Sequence, residues 1–248
     1  MTRRFLLTGG SGALGQELQK IAPLYNIEYW APSHTDLDIE AWNVLSWVNK
    51  HQGNFSGIEG IVHCAAFTNV AAAETKCGRH RAIQVNIIGS DNMAGLALAL
   101  GIKFIYISTD YVYPGDEGNY KEEDRVRPVN YYAMTKLAGE AFASRPDDLV
   151  IRTSFKPNKP WPYPKAFDDL YTSADYVDII APMITNLIVG KAEGVYNVGT
   201  ERKTIYELAR RRNPEIKPMS KNDIKGVLLP HDTSMDISKY KDFELNNM

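Results

Sequence analysis

Three short stretches carry residue types that can do chemistry together. The first is Thr8-Gly9-Gly10-Ser11-Gly12-Ala13-Leu14-Gly15. Glycines at this spacing allow a tight turn and let backbone N–H groups approach a pyrophosphate at a helix N-terminus. The second is Tyr132 and Lys136, four apart and so on one face of a helix. A free phenol titrates near about pH 10. An ammonium one turn away, with a cationic nicotinamide beside it, is expected to lower that value toward neutrality. Such a phenol can exchange a proton with a carbonyl or alcohol oxygen. The third is Ser108-Thr109-Asp110, whose hydroxyls can polarise a substrate carbonyl.

These residues need elements to position them. Arg4–Thr8, Ile27–Ala31, Gly60–Ala65, Lys103–Ser108 and Leu149–Thr153 read as buried strands, being short apolar runs rich in β-branched and aromatic residues. Gly12–Leu24, Glu40–Lys50, Ala82–Leu100 and Tyr131–Ser144 read as helices between them. Alternation of this kind predicts an α/β fold with a parallel sheet covered on both faces. The glycine run then follows the first strand, and Ser108-Thr109 ends the fourth, where parallel sheets place ligands.

After Thr153 the texture changes. Pro157, Pro160, Pro162 and Pro164 exclude a helix interior or a central strand over 156–165. Tyr176–Val189 is expected to be helical, Gly194–Val198 a strand and Ile205–Arg212 a helix, with a polar, irregular tail from Asn213. The expected division is a dinucleotide-binding part over 1–153 and a small substrate-binding part over 154–248. Within the latter, 176–200 is expected to return to the main sheet. Trp161 and Tyr163 are candidates for stacking on a base or sugar, and Tyr171, Thr172, Ser173 and Asp175 for polar contacts to a sugar.

Composition narrows the partners. With 28 basic and 30 acidic residues the net charge is −2, which leaves no basic excess for a nucleic-acid backbone. No apolar run is long enough to span a bilayer and no secretory segment is expected. Cys64 and Cys77 form neither a disulfide framework nor, with His, a zinc pattern, so no metal is expected and a reducing, cytoplasmic setting is. His63 reads as a hydrogen-bonded core histidine.

With Leu37-Asp38-Ile39, His63–Val70, Val85-Asn86, Ser108–Tyr113, Pro128–Glu140, Ile151–Ser154 and Gly194–Gly199, the chain resembles the extended short-chain dehydrogenase/reductases. Within them it is most similar to the dTDP-4-dehydrorhamnose reductase branch of nucleotide-sugar enzymes. The resemblance implies a Rossmann-type doubly wound parallel sheet and a nucleotide-sugar substrate. It implies Thr109 as catalytic hydroxyl, Tyr132 as proton donor and Lys136 as the lysine that also holds the nicotinamide ribose. It assigns Gly9, Gly12 and Gly15, with Ser11, Ala13 and Leu14, to the pyrophosphate loop, Asp38 to the adenine, Ala65 and Ala66 to the cofactor's flank, and Asn86 to a structural role. The family's homodimer would pair Ala82–Leu100 and Tyr131–Ser144.

The second strand ends in Pro32-Ser33-His34 with no carboxylate for a ribose 2′-hydroxyl. NADP(H), with Ser33 and His34 near its phosphate, is therefore favoured over NAD(H), although Asp36 could still reach the ribose. Three departures separate the chain from the branch: Ala71 replaces an Asp, the substrate part is short, and Leu229 stands where relatives often carry Arg. They leave open an epimerase, or a non-catalytic dinucleotide-binding regulatory subunit, beside the reductase.

Overall fold

The computed structural model describes residues 2–41, 47 and 50–247. Five strands, β1 (Arg3–Thr8), β2 (Ile27–Trp30), β3 (Ile58–His63), β4 (Lys103–Ile107) and β5 (Leu149–Thr153), form a parallel sheet with the strand Gly194–Val198. Their order is β2-β1-β3-β4-β5, with Gly194–Val198 outermost beside β5. The chain thus crosses over from β2 to β3 on the far side of β1, the reversal that opens a crevice at the strands' carboxyl ends in doubly wound folds.

Successive residues of these strands point to opposite faces, and both faces are covered. Leu7, Val62, Ile105 and Ile151 pack on one side with Leu14 and Leu18 of the helix Ala13–Ile21 and Ile180 and Ile184 of the helix Val177–Val189. Leu6, Ile61, Phe104 and Tyr106 pack on the other with Met93, Leu96 and Ala97 of the helix Gly89–Leu100. A side chain of this size contributes about 2 kcal/mol when fully buried, so two double-sided layers hold the strand ends rigid.

The long helix expected over Ala82–Leu100 is broken. It begins earlier, at Lys76, where the Thr75 hydroxyl accepts from the Gly78 N–H at 3.0 Å. It then runs to Ile83, passes through a π-turn over Gln84–Ile88 and resumes at Gly89. The helix Tyr131–Glu140 stops four residues before Ser144, and Ile205–Arg210 two before Arg212. The polar tail is not wholly irregular: Ser238–Asn247 is a helix that buries only Tyr240. The helix expected over Glu40–Lys50, with Trp42, Leu45 and Val48, lies largely outside the described residues.

Beyond β5, apart from Gly194–Val198 and the helices, the strands form short pairs. Phe155–Lys156 runs parallel to Asp175–Tyr176, Lys165–Phe167 parallel to Lys217–Met219, and Tyr171–Thr172 antiparallel to Lys203–Thr204. Among the described residues no helix is long and apolar enough to cross a membrane.

Candidate active site

A cavity of about 1790 Å³ opens at the carboxyl ends of β1, β3, β4 and β5. A pocket for one small ligand holds ~300–1,000 Å³, so this one has room for two ligands side by side. Gly9–Gly15 form one part of its wall. Gly9 adopts φ +69°, and a Cβ there would lie 2.6 Å from the Ala65 nitrogen. A Cβ on Gly15 would lie 2.3 Å from the Gly9 carbonyl oxygen. The loop is therefore closed on itself at the closest approach two backbones allow. Gly12 begins the helix Ala13–Ile21 without any side-chain cap, and no acidic residue occupies its first turn. The first N–H groups are left for an anion, and the helix dipole favours one there.

Ser33, His34, Ala65 and Ala66 also line the cavity. Asp36 folds back: its carboxylate accepts from the Ser33 hydroxyl at 2.6 Å and from the Ser33 N–H at 3.3 Å. These bonds hold its carboxyl below the usual range, so it stays ionised beside Ser33. Asp38 is not on the cavity wall. Its Oδ1 accepts from the Glu40 N–H at 3.0 Å, and the alternation of the chain turns Leu37 and Ile39 inward instead. Asp38 thus stands exposed between two residues of the wall, and its assignment to the adenine is left as an expectation.

Thr109, Tyr132 and Lys136 meet in the same cavity. Thr109 leaves β4 and caps the short turn Asp110–Val112, its hydroxyl accepting from the Tyr111 N–H at 3.2 Å. Asn130 caps the helix Tyr131–Glu140 through a 2.9 Å bond from the Ala133 N–H, which places Tyr132 in the first turn and Lys136 one turn on. Burial pushes the Tyr132 phenol up to about 12, eased by a hydrogen bond with Thr109 and reinforced by the Asp110 charge. This is opposite to the lowering expected from Lys136. The largest cause is burial of the phenol itself, and Lys136 is desolvated as well: burial draws its ammonium down to about 7, against the upward pull of Glu140 and Cys64. Its Nζ stands 4.1 Å from the centre of the Tyr106 ring.

A buried polar chain supports these groups. The Thr8 hydroxyl and His63 Nδ1 are 2.8 Å apart, His63 Nε2 and the Ser90 hydroxyl 3.1 Å, and Ser90 donates to the Asn86 carbonyl at 2.8 Å. Burial holds His63 down near about 3, so it is neutral and structural. The Asn86 amide, inside the π-turn, accepts from the Phe67 N–H at 2.7 Å and donates to the Phe67 carbonyl and the Thr135 hydroxyl. It ties the cofactor-side loop to the helix that carries Tyr132.

A dinucleotide fits this set on two observations. The glycine cradle would be filled by any Cβ, and among the described residues the Thr153 hydroxyl, buried on the same wall, has no hydrogen-bond partner. Among the described residues no group of three His, Cys, Asp or Glu side chains could hold a metal ion.

The remaining sugar-contact candidates behave differently. Trp161 is largely buried against Ala166, Ala209 and Ile216, whereas Tyr163 is exposed edge-on to it. Thr172 donates to Asp110 at 3.2 Å, Ser173 to the Met235 carbonyl at 3.3 Å, and Asp175 is paired with Arg211 at 2.6 Å, so all three are committed internally. Tyr171 lies edge-on to His231. Sequence reasoning passed over Tyr111, Thr153 and Lys156, which all line the cavity. Only the change of texture after Thr153 hinted at the last.

The family model for the RmlD substrate binding domain matches residues 3–157. The chain belongs to this family. Among its relatives is a dTDP-4-keto-6-deoxy-D-glucose reductase of Streptomyces niveus, 31% identical over 85% of this chain and 77% of its own length. The methionine adenosyltransferase 2 subunit beta of Bos taurus is 45% identical over 56% of this chain and 42% of its own. The chain spans about half the length of most of the curated relatives it matches. Among solved structures, a Bacillus anthracis dTDP-4-dehydrorhamnose reductase in complex with NADP superimposes with a TM-score of 0.83 at 27% identity, covering 100% of this chain and 93% of that one. The RmlD-family match ends at 157, one residue past the strand Phe155–Lys156, so the proline-rich wall falls almost wholly outside it.

Proposed function

We propose that the protein is an NADP(H)-dependent oxidoreductase that reduces a keto group on a nucleotide-activated sugar. The observation that carries this reading is the meeting of Thr109, Tyr132 and Lys136 beside an uncapped glycine-loop helix in one cavity large enough for two ligands. A reduced nicotinamide bound there would supply the hydride. The Thr109 hydroxyl and the Tyr132 phenol hold the substrate carbonyl oxygen. Burial keeps the phenol protonated, which suits a group that must give a proton to the oxygen as negative charge develops. Lys136 holds the ribose hydroxyls and restores positive charge beside the phenol. Gly9–Gly15 would take the pyrophosphate. Ser33 and His34 would face the adenosine phosphate, with NAD(H) as the alternative that the ionised Asp36 would favour.

Reduction is preferred to epimerisation because the two candidates for a second acid/base stand away from the wall. Neither Cys77 nor His231 lines the cavity, and burial pushes the Cys64 thiol up to about 12. The 45% likeness to a methionine adenosyltransferase beta subunit favours a second reading, a dinucleotide-binding regulatory subunit. A homodimer through Ala82–Leu100 and Tyr131–Ser144 is supported by the exposure of Leu98, Ile88 and Met134, and a cytoplasmic setting by two free cysteines.

The test is loss of the reduced-nicotinamide absorbance with NADPH and NADH against a panel of nucleotide 4-keto sugars, with Tyr132→Phe as control. Consumption that falls about a thousandfold in Tyr132→Phe supports the reductase. Tight NADPH binding with no consumption on any sugar overturns it in favour of the subunit.

A further inference from the structure

The cavity wall is unbalanced in charge. Its charged residues are Glu40, Arg81, Lys136, Lys156, Lys159 and Lys165. Glu40 is its only carboxylate among the described residues, and Arg81 holds it bidentately at 2.7 and 3.0 Å. Lys136 belongs to the catalytic set. The other three lysines stand on the proline-rich segment, and among the described residues none of them has a carboxylate within 4.0 Å.

Lys156 is the inner one. Its half-buried side chain lies three residues past β5, with its Nζ 5.8 Å from the centre of the Trp161 ring. The buried Asp110, next to Thr109, is the opposite charge that acts on it, while burial draws its pKa down. An ammonium withdrawn from water with no partner in contact is costly unless something else supplies the counter-charge. Lys159 and Lys165 are exposed at the cavity's rim.

The segment is held in place rather than trailing. Prolines fix φ at four positions. The Trp161 indole donates to the Lys165 carbonyl at 3.2 Å, and Lys165–Phe167 is paired with Lys217–Met219. Three lysines thus line the cavity from one backbone-anchored segment, the half-buried Lys156 within the influence of Asp110 and the other two exposed to solvent.

We propose that Lys156, Lys159 and Lys165 form the diphosphate subsite of the substrate, with Lys156 on the phosphate next to the sugar and the two outer lysines on the phosphate next to the nucleoside. This deepens the nucleotide-sugar reading and rests on it. Ammonium-to-phosphate hydrogen bonds are charge-assisted and short, and lysines at the rim raise the encounter rate of an anion.

The experiment is calorimetric titration of the NADP-saturated protein with dTDP, UDP and GDP, each against its nucleoside. For at least one base the diphosphate binds ten times or more tighter than the nucleoside, with an affinity that falls as salt rises. Lys156→Gln lowers that diphosphate affinity about tenfold and leaves nucleoside and NADPH binding unchanged, and Lys156→Arg restores most of the loss. The double variant Lys159→Gln/Lys165→Gln flattens the salt dependence. Equal binding of diphosphate and nucleoside for all three bases, no binding of any, or a Lys156→Gln protein that binds as the parent does, overturns the subsite. Lysine-dependent diphosphate binding without NADPH consumption keeps the subsite and sinks the reductase. Consumption whose KM ignores all three lysines does the reverse.

Discussion

The glycine-loop wall proposed for the dinucleotide and the wall formed by residues 154–175 are built by different means. The first is backbone: glycines at contact distance, an uncapped helix start, and strand ends fixed by a sheet buried on both faces. The second is side chains on two- and three-residue strands and proline-fixed loops. A backbone wall recognises what every dinucleotide shares, and its shape tolerates almost no substitution. A side-chain wall can be changed one residue at a time without disturbing the sheet. The difference teaches where cofactor and substrate selectivity are stored.

The comparison breaks first at its rigid end. Gly15→Ala must push a Cβ into the Gly9 carbonyl, with 2.3 Å available. It is expected to lower NADPH affinity at least a hundredfold and to depress the melting temperature, read by fluorescence titration and thermal unfolding. If Gly15→Ala binds as the parent does, the loop is not the cradle described. Asn86→Ala removes the link between the two sides of the cofactor wall and leaves the Phe67 backbone groups unpaired. A destabilisation of about 1–3 kcal/mol in urea unfolding is expected, with kcat reduced about tenfold because Tyr132 loses its bracing.

Lys136→Met sharpens the contrast from the energetic side. The folded protein holds this ammonium down to about 7, against about 10.4 in an unfolded chain. The parent therefore carries a folding penalty that is complete below about pH 7 and disappears as pH rises toward 10. Lys136→Met abolishes turnover yet is more stable at pH 6, on the order of 1–3 kcal/mol. That gain shrinks steadily in melts at pH 8 and 9.5, and a gain that grows with pH contradicts the assignment. The smallest effect belongs to Asp36→Ala. Removing the exposed charge beside Ser33 raises the NADPH-over-NADH preference a few-fold at low ionic strength, fading at high salt.

Legibility follows the same division. The strands β5 and Gly194–Val198 could be read to the residue, and Thr109, Tyr132 and Lys136 converge, because buried parallel strands and glycine turns leave local patterns. Alternation decides which of Leu37, Asp38 and Ile39 faces inward, and a three-residue stretch does not reveal its own phase. The π-turn was invisible because no Gly or Pro within Gln84–Ile88 marks a break in the helical pattern. The sign of the Tyr132 shift was missed because burial depends on residues far apart in the chain. The role of 156–165 was hidden for the reverse reason: prolines announce what a segment is not, and the orientation of Lys156 is set by pairing with Asp175–Tyr176.

The π-turn has a consequence for how this chain can change in length. A π-turn amounts to one residue inserted into an α-helix, and each residue of an α-helix advances the face by about 100°. Deleting a single residue between Gln84 and Ile88 would therefore restore a continuous helix with Lys76–Ile83 and Gly89–Leu100 close to their present alignment, while abolishing the widened turn from which Asn86 reaches Phe67 and Thr135. Between Thr75 and Gly101 a one-residue deletion is thus absorbed only at the π-turn, at the expense of the Asn86 contacts, whereas elsewhere in the stretch it would turn the two halves against each other by about 100°.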